Sequence, residues 1–140
     1  IVGQHKPQKV PNLGMPLTYI GELNDDQSLA MLYSASNVVV VPSLMDTLPQ
    51  VATEAQSCGV PVVAFNCTGL IDIVENFVTG YLAKSFESED LSFGIEWVLK
   101  NQNYKYLSIE SRKRAVKLWN QKTISKQYEK VFRNVLNNEI

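Results

Sequence analysis

Two short apolar runs, Val38-Val39-Val40-Val41 and Pro61-Val62-Val63-Ala64-Phe65, restrict the folds open to this chain more than any other feature. Neither run alternates with polar residues, so a strand built from either is apolar on both faces. Strands of that kind belong to parallel sheets covered by helices above and below. Parallel neighbours need a crossover, and the intervening segment reads as one. A tight loop follows Val41, and Pro49 suits the first turn of a helix, where its missing N–H would be an orphan anyway. Gly59 fits the position just past that helix, and Pro61 prevents its continuation. Open α/β sheets bind anionic ligands beyond the carboxyl ends of their strands, facing helix N-termini. The loop between Val41 and Pro49 is therefore the candidate site.

The remaining elements fit the same plan. Ile1-Val2-Gly3 reads as the end of a strand, and Gln4 to Pro16 as a connection punctuated by three prolines and Gly14. Leu17-Thr18-Tyr19-Ile20-Gly21 reads as a second strand. Asp25 or Asp26 caps a helix with Leu29, Leu32, Tyr33 and Ala35 or Ser36 on its apolar side, ending at Asn37. A short helical segment opens at Thr68-Gly69 and runs through Val74, and Thr79 to Ala83 is a further strand. Ser88 is the expected cap of a helix with the stripe Leu91, Ile95, Val98 and Leu99. Two more helices close the chain. One presents Leu107, Ser111, Ala115 and Leu118 or Trp119, the other Ile124, Tyr128, Val131, Phe132, Val135 and Leu136. Strands alternating with helices at this spacing give an α/β, Rossmann-like three-layer sandwich with a mostly parallel sheet.

At 140 residues, residues 1–140 make a single domain with ordinary hydrophobic (45%) and charged (19%) content. No apolar run is long enough to span a bilayer, and no signal-peptide pattern opens the chain. The start at Ile1, inside a presumed strand, suggests a piece of a longer protein. Cys58 and Cys67 lack metal-ligand spacing and are expected to be free thiols in a cytosolic protein. Charge is divided unevenly. From Lys100 onward ten basic residues face three acidic ones (+7), and the rest carries three against eleven (−8). A solvated helix face accounts for the basic end; the alternatives are an anionic membrane surface or a phosphate-bearing acceptor.

Several chemistries have no residues to carry them. The seven glycines are isolated, so neither a Gly-x-Gly-x-x-Gly fingerprint nor a Gly-Lys-Ser/Thr phosphate loop is present. His5, the only histidine, sits in a polar connection without a second ligand type nearby, so no metal site is expected. Gly-x-Ser-x-Gly and Cys-x-x-Cys are absent. Two carboxylates remain. Glu54 falls at the edge of a stripe formed by Val51, Ala55 and Cys58. A carboxylate there needs hydrogen-bond donors. The vicinal hydroxyls of a ribose would supply two, and a neighbouring Lys or free backbone N–H groups would serve as well. Asp46 follows strand and loop, so it faces the crevice above the sheet or serves as an ordinary turn aspartate bonded to its own backbone.

The segment Val41-Pro42-Ser43, Asp46-Thr47-Leu48-Pro49, Thr53-Glu54-Ala55 and Cys58-Gly59-Val60-Pro61-Val62-Val63-Ala64 resembles the donor-binding signature of the group 1 (family 4) retaining glycosyltransferases. The likeness continues through Asn66-Cys67-Thr68-Gly69-Leu70, Val74-Glu75 and Thr79-Gly80-Tyr81-Leu82-Ala83. Upstream it includes Tyr19-Ile20-Gly21 and Leu32-Tyr33-Ser34-Ala35-Ser36-Asn37. These enzymes have the GT-B architecture, two Rossmann-like domains across a cleft, and the chain resembles the C-terminal, donor-binding one.

The resemblance implies transfer of a sugar, with retention, from a nucleotide-diphosphate sugar such as a UDP- or GDP-sugar to an acceptor hydroxyl. It implies no further cofactor, metal or nucleic acid. Glu54 would accept the ribose hydroxyls and Asp46, one methylene shorter than the family's glutamate, would face the donor sugar; these are the two candidate catalytic residues. Thr47, Leu48, Pro49 and Gln50 replace the family's glycine-bearing loop beside the diphosphate, and Gly21 and Glu22 lie where relatives hold the nucleobase. The loop looks like that of bacterial enzymes of surface polysaccharide biosynthesis. A carbohydrate or lipid-linked acceptor would be held by an N-terminal domain outside this sequence, in a cytoplasmic protein with peripheral contact at the inner face of the membrane. An Arg and a Lys that clamp the diphosphate in relatives would precede Ile1, so the fragment is expected to be inactive alone. A non-catalytic nucleotide-sugar-binding module and a GT-B-like sugar-nucleotide epimerase are the alternatives.

Overall fold

The computed structural model describes residues 1–137. Three strands, β1 (Val39–Val41), β2 (Val62–Phe65) and β3 (Gly80–Ala83), form a parallel sheet in the order β1-β2-β3. Val39 lies opposite Val62, and Val62 in turn opposite Gly80. The helices are α1 (Asp26–Ser34), α2 (Gln50–Ser57), α3 (Leu70–Ile73), α4 (Ser88–Leu99), α5 (Tyr104–Trp119) and α6 (Gln121–Leu136).

β2 is buried throughout, and its alternation divides the interior in two. Val62 and Ala64 join Ala52 and Ala55 of α2 and Leu70 and Ile73 of α3. Val63 and Phe65 face the other way, toward Tyr81 and Ala83 of β3 and Val98 of α4. The apolar runs are thus covered on both faces, as their composition requires. Burial of each of these valines contributes about 1.5–3 kcal/mol. α5 packs on α2 and pins the turn before β3. Its Arg114 guanidinium donates to the Asp72 and Ile73 carbonyls, both at 2.8 Å, and Ser111 Oγ donates to the Thr79 carbonyl at 3.1 Å.

The local signals hold where short-range geometry decides. Asp25 caps α1 by accepting the Ser28 N–H at 2.8 Å. Gly59 follows α2 with φ +75°, a left-handed conformation suited to glycine. Both cysteines are free. No helix among the described residues is long and apolar enough to cross a membrane.

Other expectations need correction. Ile1–Gly3 and Leu17–Gly21 do not form extended strands; they meet at one parallel bridge, Val2 with Gly21. Besides that bridge they share the Gly3 N–H to Gly21 carbonyl (2.8 Å), Ile20 N–H to Ile1 carbonyl (2.9 Å) and Ile1 amino group to Thr18 carbonyl (2.8 Å) bonds, with no further strand beside them among the described residues. Pro49 is the N-cap of α2 rather than its first helical residue, with ψ 109°. α1 ends at Ser34 with Ala35 as C-cap, short of Asn37. Glu87, not Ser88, precedes α4, and no side chain caps it. Leu99 is 53% exposed, so the buried side of α4 centres on Gly94 and Val98. The buried side of α2 is Ala52, Ala55 and Gln56, with Val51 turned outward. The polar Gln56 is buried there instead: its Nε2 donates to Thr79 Oγ1 at 3.0 Å, while its Oε1 has no partner among the described residues. The apolar residues of α6 bury nothing fully, and Tyr128, Val131, Phe132, Val135 and Leu136 are all exposed.

Leu70→Ala should lower the free energy of unfolding by about 2–5 kcal/mol, because Leu70 is wholly buried. Phe132→Ala should change it by less than about 0.5 kcal/mol. Urea titration of both variants reads the contrast. Asp90 supplies a pH test. Its carboxylate accepts the Lys84 N–H at 2.7 Å and the Tyr81 hydroxyl at 2.8 Å. Those bonds, the backbone one foremost, hold it below the ordinary aspartate value of 3.8. The stability they confer is complete above that value and is lost as pH falls through the depressed one. Asp90→Asn should therefore flatten the acid side of a stability-against-pH curve, and an unchanged slope would count against this contact.

Candidate functional site

The site is assembled where β1 and β2 deliver their following loops to one end of the sheet. Asp46, half-buried, lies in the loop after β1. Its backbone is held from behind by the loop after β2. The Asp46 N–H meets Thr68 Oγ1 at 3.4 Å, and the Asp46 carbonyl accepts the Gly69 N–H at 3.0 Å. Gly69 touches the neighbouring peptide so closely that a Cβ there would sit 1.7 Å from the Thr47 carbonyl oxygen. Thr68 has φ +48°, a costly conformation for a β-branched residue. Backbone strain of this kind persists where surrounding structure enforces it, often at functional loops. The loop carrying Asp46 and Thr47 is thus moulded against Thr68-Gly69.

From that loop the chain turns into α2 through Pro49, which is buried and supplies no N–H and no side-chain cap. The Pro49 carbonyl accepts the Ala52 N–H (3.1 Å) and, more weakly, the Thr53 N–H (3.4 Å). The N–H groups of Gln50 and Val51 have no partner among the described residues, and no acidic side chain occupies the first turn. A helix end in this state attracts an anion.

Glu54 lies just beyond that turn, half-exposed. Among the described residues neither a lysine nor a backbone N–H group meets its carboxylate. Instead Tyr33, at the end of α1, donates its hydroxyl to Glu54 Oε2 at 2.9 Å. Tyr33 is only 6% exposed. Burial first, and the bond to Glu54 second, push its hydroxyl well above the usual tyrosine range, so it remains a donor. Glu54 Oε1 has no protein donor among the described residues. Glu54 borders a hollow of about 750 Å³, shared with Glu22, Gln50, Val51 and the flank of β1. A second hollow of about 560 Å³ on its other side is bordered by Leu48, Gln50, Trp119 and Tyr128.

Of the residues singled out from sequence, the structure therefore gathers Glu22, Gln50 and Glu54 around one hollow. Leu48 joins Gln50 and Glu54 at the other. Gly21 stands beside Glu22, its carbonyl bonded to Gly3. Asp46 and Thr47 line neither hollow and sit in the loop above the sheet. Tyr33 was legible only as a member of an apolar stripe. The available signal was that a buried tyrosine needs a partner for its hydroxyl, and the nearest acidic residue on an adjacent helix supplies it.

The model of the glycosyl transferases group 1 family matches residues 11–117. The chain belongs to that family. It is 29% identical, over 71% of its length, to an uncharacterised glycosyltransferase of Methanocaldococcus jannaschii, of which the match covers 25%. Among solved structures, sucrose-phosphate synthase of Thermosynechococcus elongatus superimposes with a TM-score of 0.77 at 33% identity, over 86% of this chain and 30% of that one. HepE of Anabaena, solved with UDP and glucose, shares the fold at 24% identity with a TM-score of 0.73, over 84% of this chain and 32% of that one. The α/β, Rossmann-like domain of a GT-B glycosyltransferase is thus the fold of residues 1–137. The chain spans about a quarter to a third of the length of these relatives.

Gly69→Ala tests the moulded loop. The new methyl cannot be accommodated without moving the Thr47 peptide, so stability should fall by about 1–3 kcal/mol and the amide NMR signals of residues 46–48 should shift. Unmoved signals in a folded variant would contradict the tight apposition.

Proposed function

We propose that this domain binds the nucleotide-sugar donor of a retaining glycosyltransferase that acts in polysaccharide or glycoconjugate biosynthesis. The observation that carries the reading is the free Oε1 of Glu54, beside a hollow and just past the two unpaired N–H groups of α2. A ribose offers two adjacent hydroxyl donors to such a carboxylate. The diphosphate of the same molecule would lie against that helix end. Asp46, carried on the rigid loop above the sheet, would accept hydroxyls of the sugar.

The chemical difficulty in sugar transfer is the charge that gathers on the departing diphosphate as the bond to the anomeric carbon breaks. Preorganised N–H groups aimed at that charge stabilise it without reorganising when it forms. In this chain the Gln50 and Val51 N–H groups, backed by the dipole of α2, would do so. Glu22 would border the base. A carbohydrate or lipid-linked acceptor would be held by a separate domain, as the greater length of the relatives suggests, and the isolated chain would bind donor without useful turnover.

Thermal shift against a panel of UDP-, GDP- and ADP-sugars tests this reading. One class should raise the melting temperature of the chain, and Glu54→Ala, compared with its own ligand-free baseline, should weaken binding at least about tenfold, the scale of a hydrogen bond to a charged group. Asp46→Ala should spare binding of the free nucleotide while removing the extra affinity for its sugar conjugate. Equal shifts for wild type and Glu54→Ala would overturn the ribose role.

A further inference from the structure

The bond between Tyr33 and Glu54 joins two helices, and it does so at a carboxylate that borders the hollow, across from that of Glu22. Tyr33 is anchored. Its ring belongs to the core cluster containing Ala52, Ala55 and Leu70, and its residue is 6% exposed. Its hydroxyl leaves that core to reach Glu54 Oε2 at 2.9 Å. Glu54 itself is only half-buried and forms no ion pair among the described residues. Left alone, a glutamate with three rotatable bonds would sample many orientations, and fixing it on binding would cost affinity. The tyrosine bond removes that freedom beforehand. It occupies one carboxylate oxygen and leaves the other available at the hollow.

We propose that Tyr33 is a positioning residue that sets Glu54 for a ribose, so that it governs how strongly the site prefers a nucleotide carrying both ribose hydroxyls. The proposal rests on the reading of Glu54 as the ribose acceptor. A purely architectural tie between α1 and α2 would act on every ligand alike. A positioning tie acts only on ligands whose hydroxyls meet Glu54.

That difference is measurable with Tyr33→Phe, which keeps the buried ring and removes only the hydroxyl. Isothermal titration would compare UDP with 2′,3′-dideoxy-UDP on the wild-type chain, Tyr33→Phe, Glu54→Ala and the double variant. Wild type should favour UDP over the dideoxy compound about tenfold or more. Tyr33→Phe should weaken UDP by about two- to tenfold, the affinity equivalent of the freed side chain, and leave the dideoxy compound unchanged. In the Glu54→Ala background, Tyr33→Phe should have no further effect on either. Equal weakening of both ligands, or an unchanged preference in Tyr33→Phe, would overturn the positioning role while leaving the ribose reading intact. A wild-type chain that binds UDP and the dideoxy compound equally would overturn both; where neither binds, the GDP and ADP pairs are read in the same way, and a chain that binds none of the three would overturn both.

Discussion

β2 is buried on both faces, and that constraint arranges everything else. Val62 and Ala64 on one side and Val63 and Phe65 on the other leave it no exposed surface, so helices must cover it above and below. Helical cover on both faces goes with parallel neighbours, and parallel neighbours send their following loops to the same end. The loops carrying Asp46 and Thr68 are therefore brought together by the sheet, not by any attraction between them. Chemistry at that end inherits the rigidity of the core below it.

Two secondary contacts convert this placement into a shaped site. The close seat of Gly69 on the Thr47 peptide fixes the loop after β1. The Tyr33 hydroxyl fixes the carboxylate of Glu54 from within the core. Between them lies the bare N-terminus of α2, whose capping residue is a proline that offers no side-chain acceptor. The site thus has fixed donors and a fixed acceptor on an exposed surface, the preorganisation that a charged, hydroxyl-rich ligand rewards.

Much of this was legible from residue order. The two valine-rich runs, the Asp25 cap and the glycine after α2 each declare themselves through local physics, and the structure bears them out. The limits are equally physical. Ile1–Gly3 and Leu17–Gly21 have strand composition but extended pairing needs a neighbour, which composition does not supply. The face of α2 was misread because Gln56 is polar yet buried through its bond to Thr79, a partner distant in sequence. α6 has an amphipathic pattern that reads as core, yet its apolar side is exposed, since periodicity says which residues share a face and not what covers them. At the site, Glu54 was singled out from its place on the helix and Gln50 through the family resemblance, whereas the tie from Tyr33 depends on how α1 packs against α2.

The central claim is that a nucleotide seats at the opening of α2, beside Glu54. Its most direct test is titration of the isotopically labelled chain with UDP, followed by amide NMR. The account predicts that the signals of Gln50, Val51 and Glu54 move first and furthest, together with Glu22 across the hollow. Movement centred elsewhere, such as around Phe93 and Gln102 on the α4–α5 side, with the start of α2 undisturbed, would contradict it.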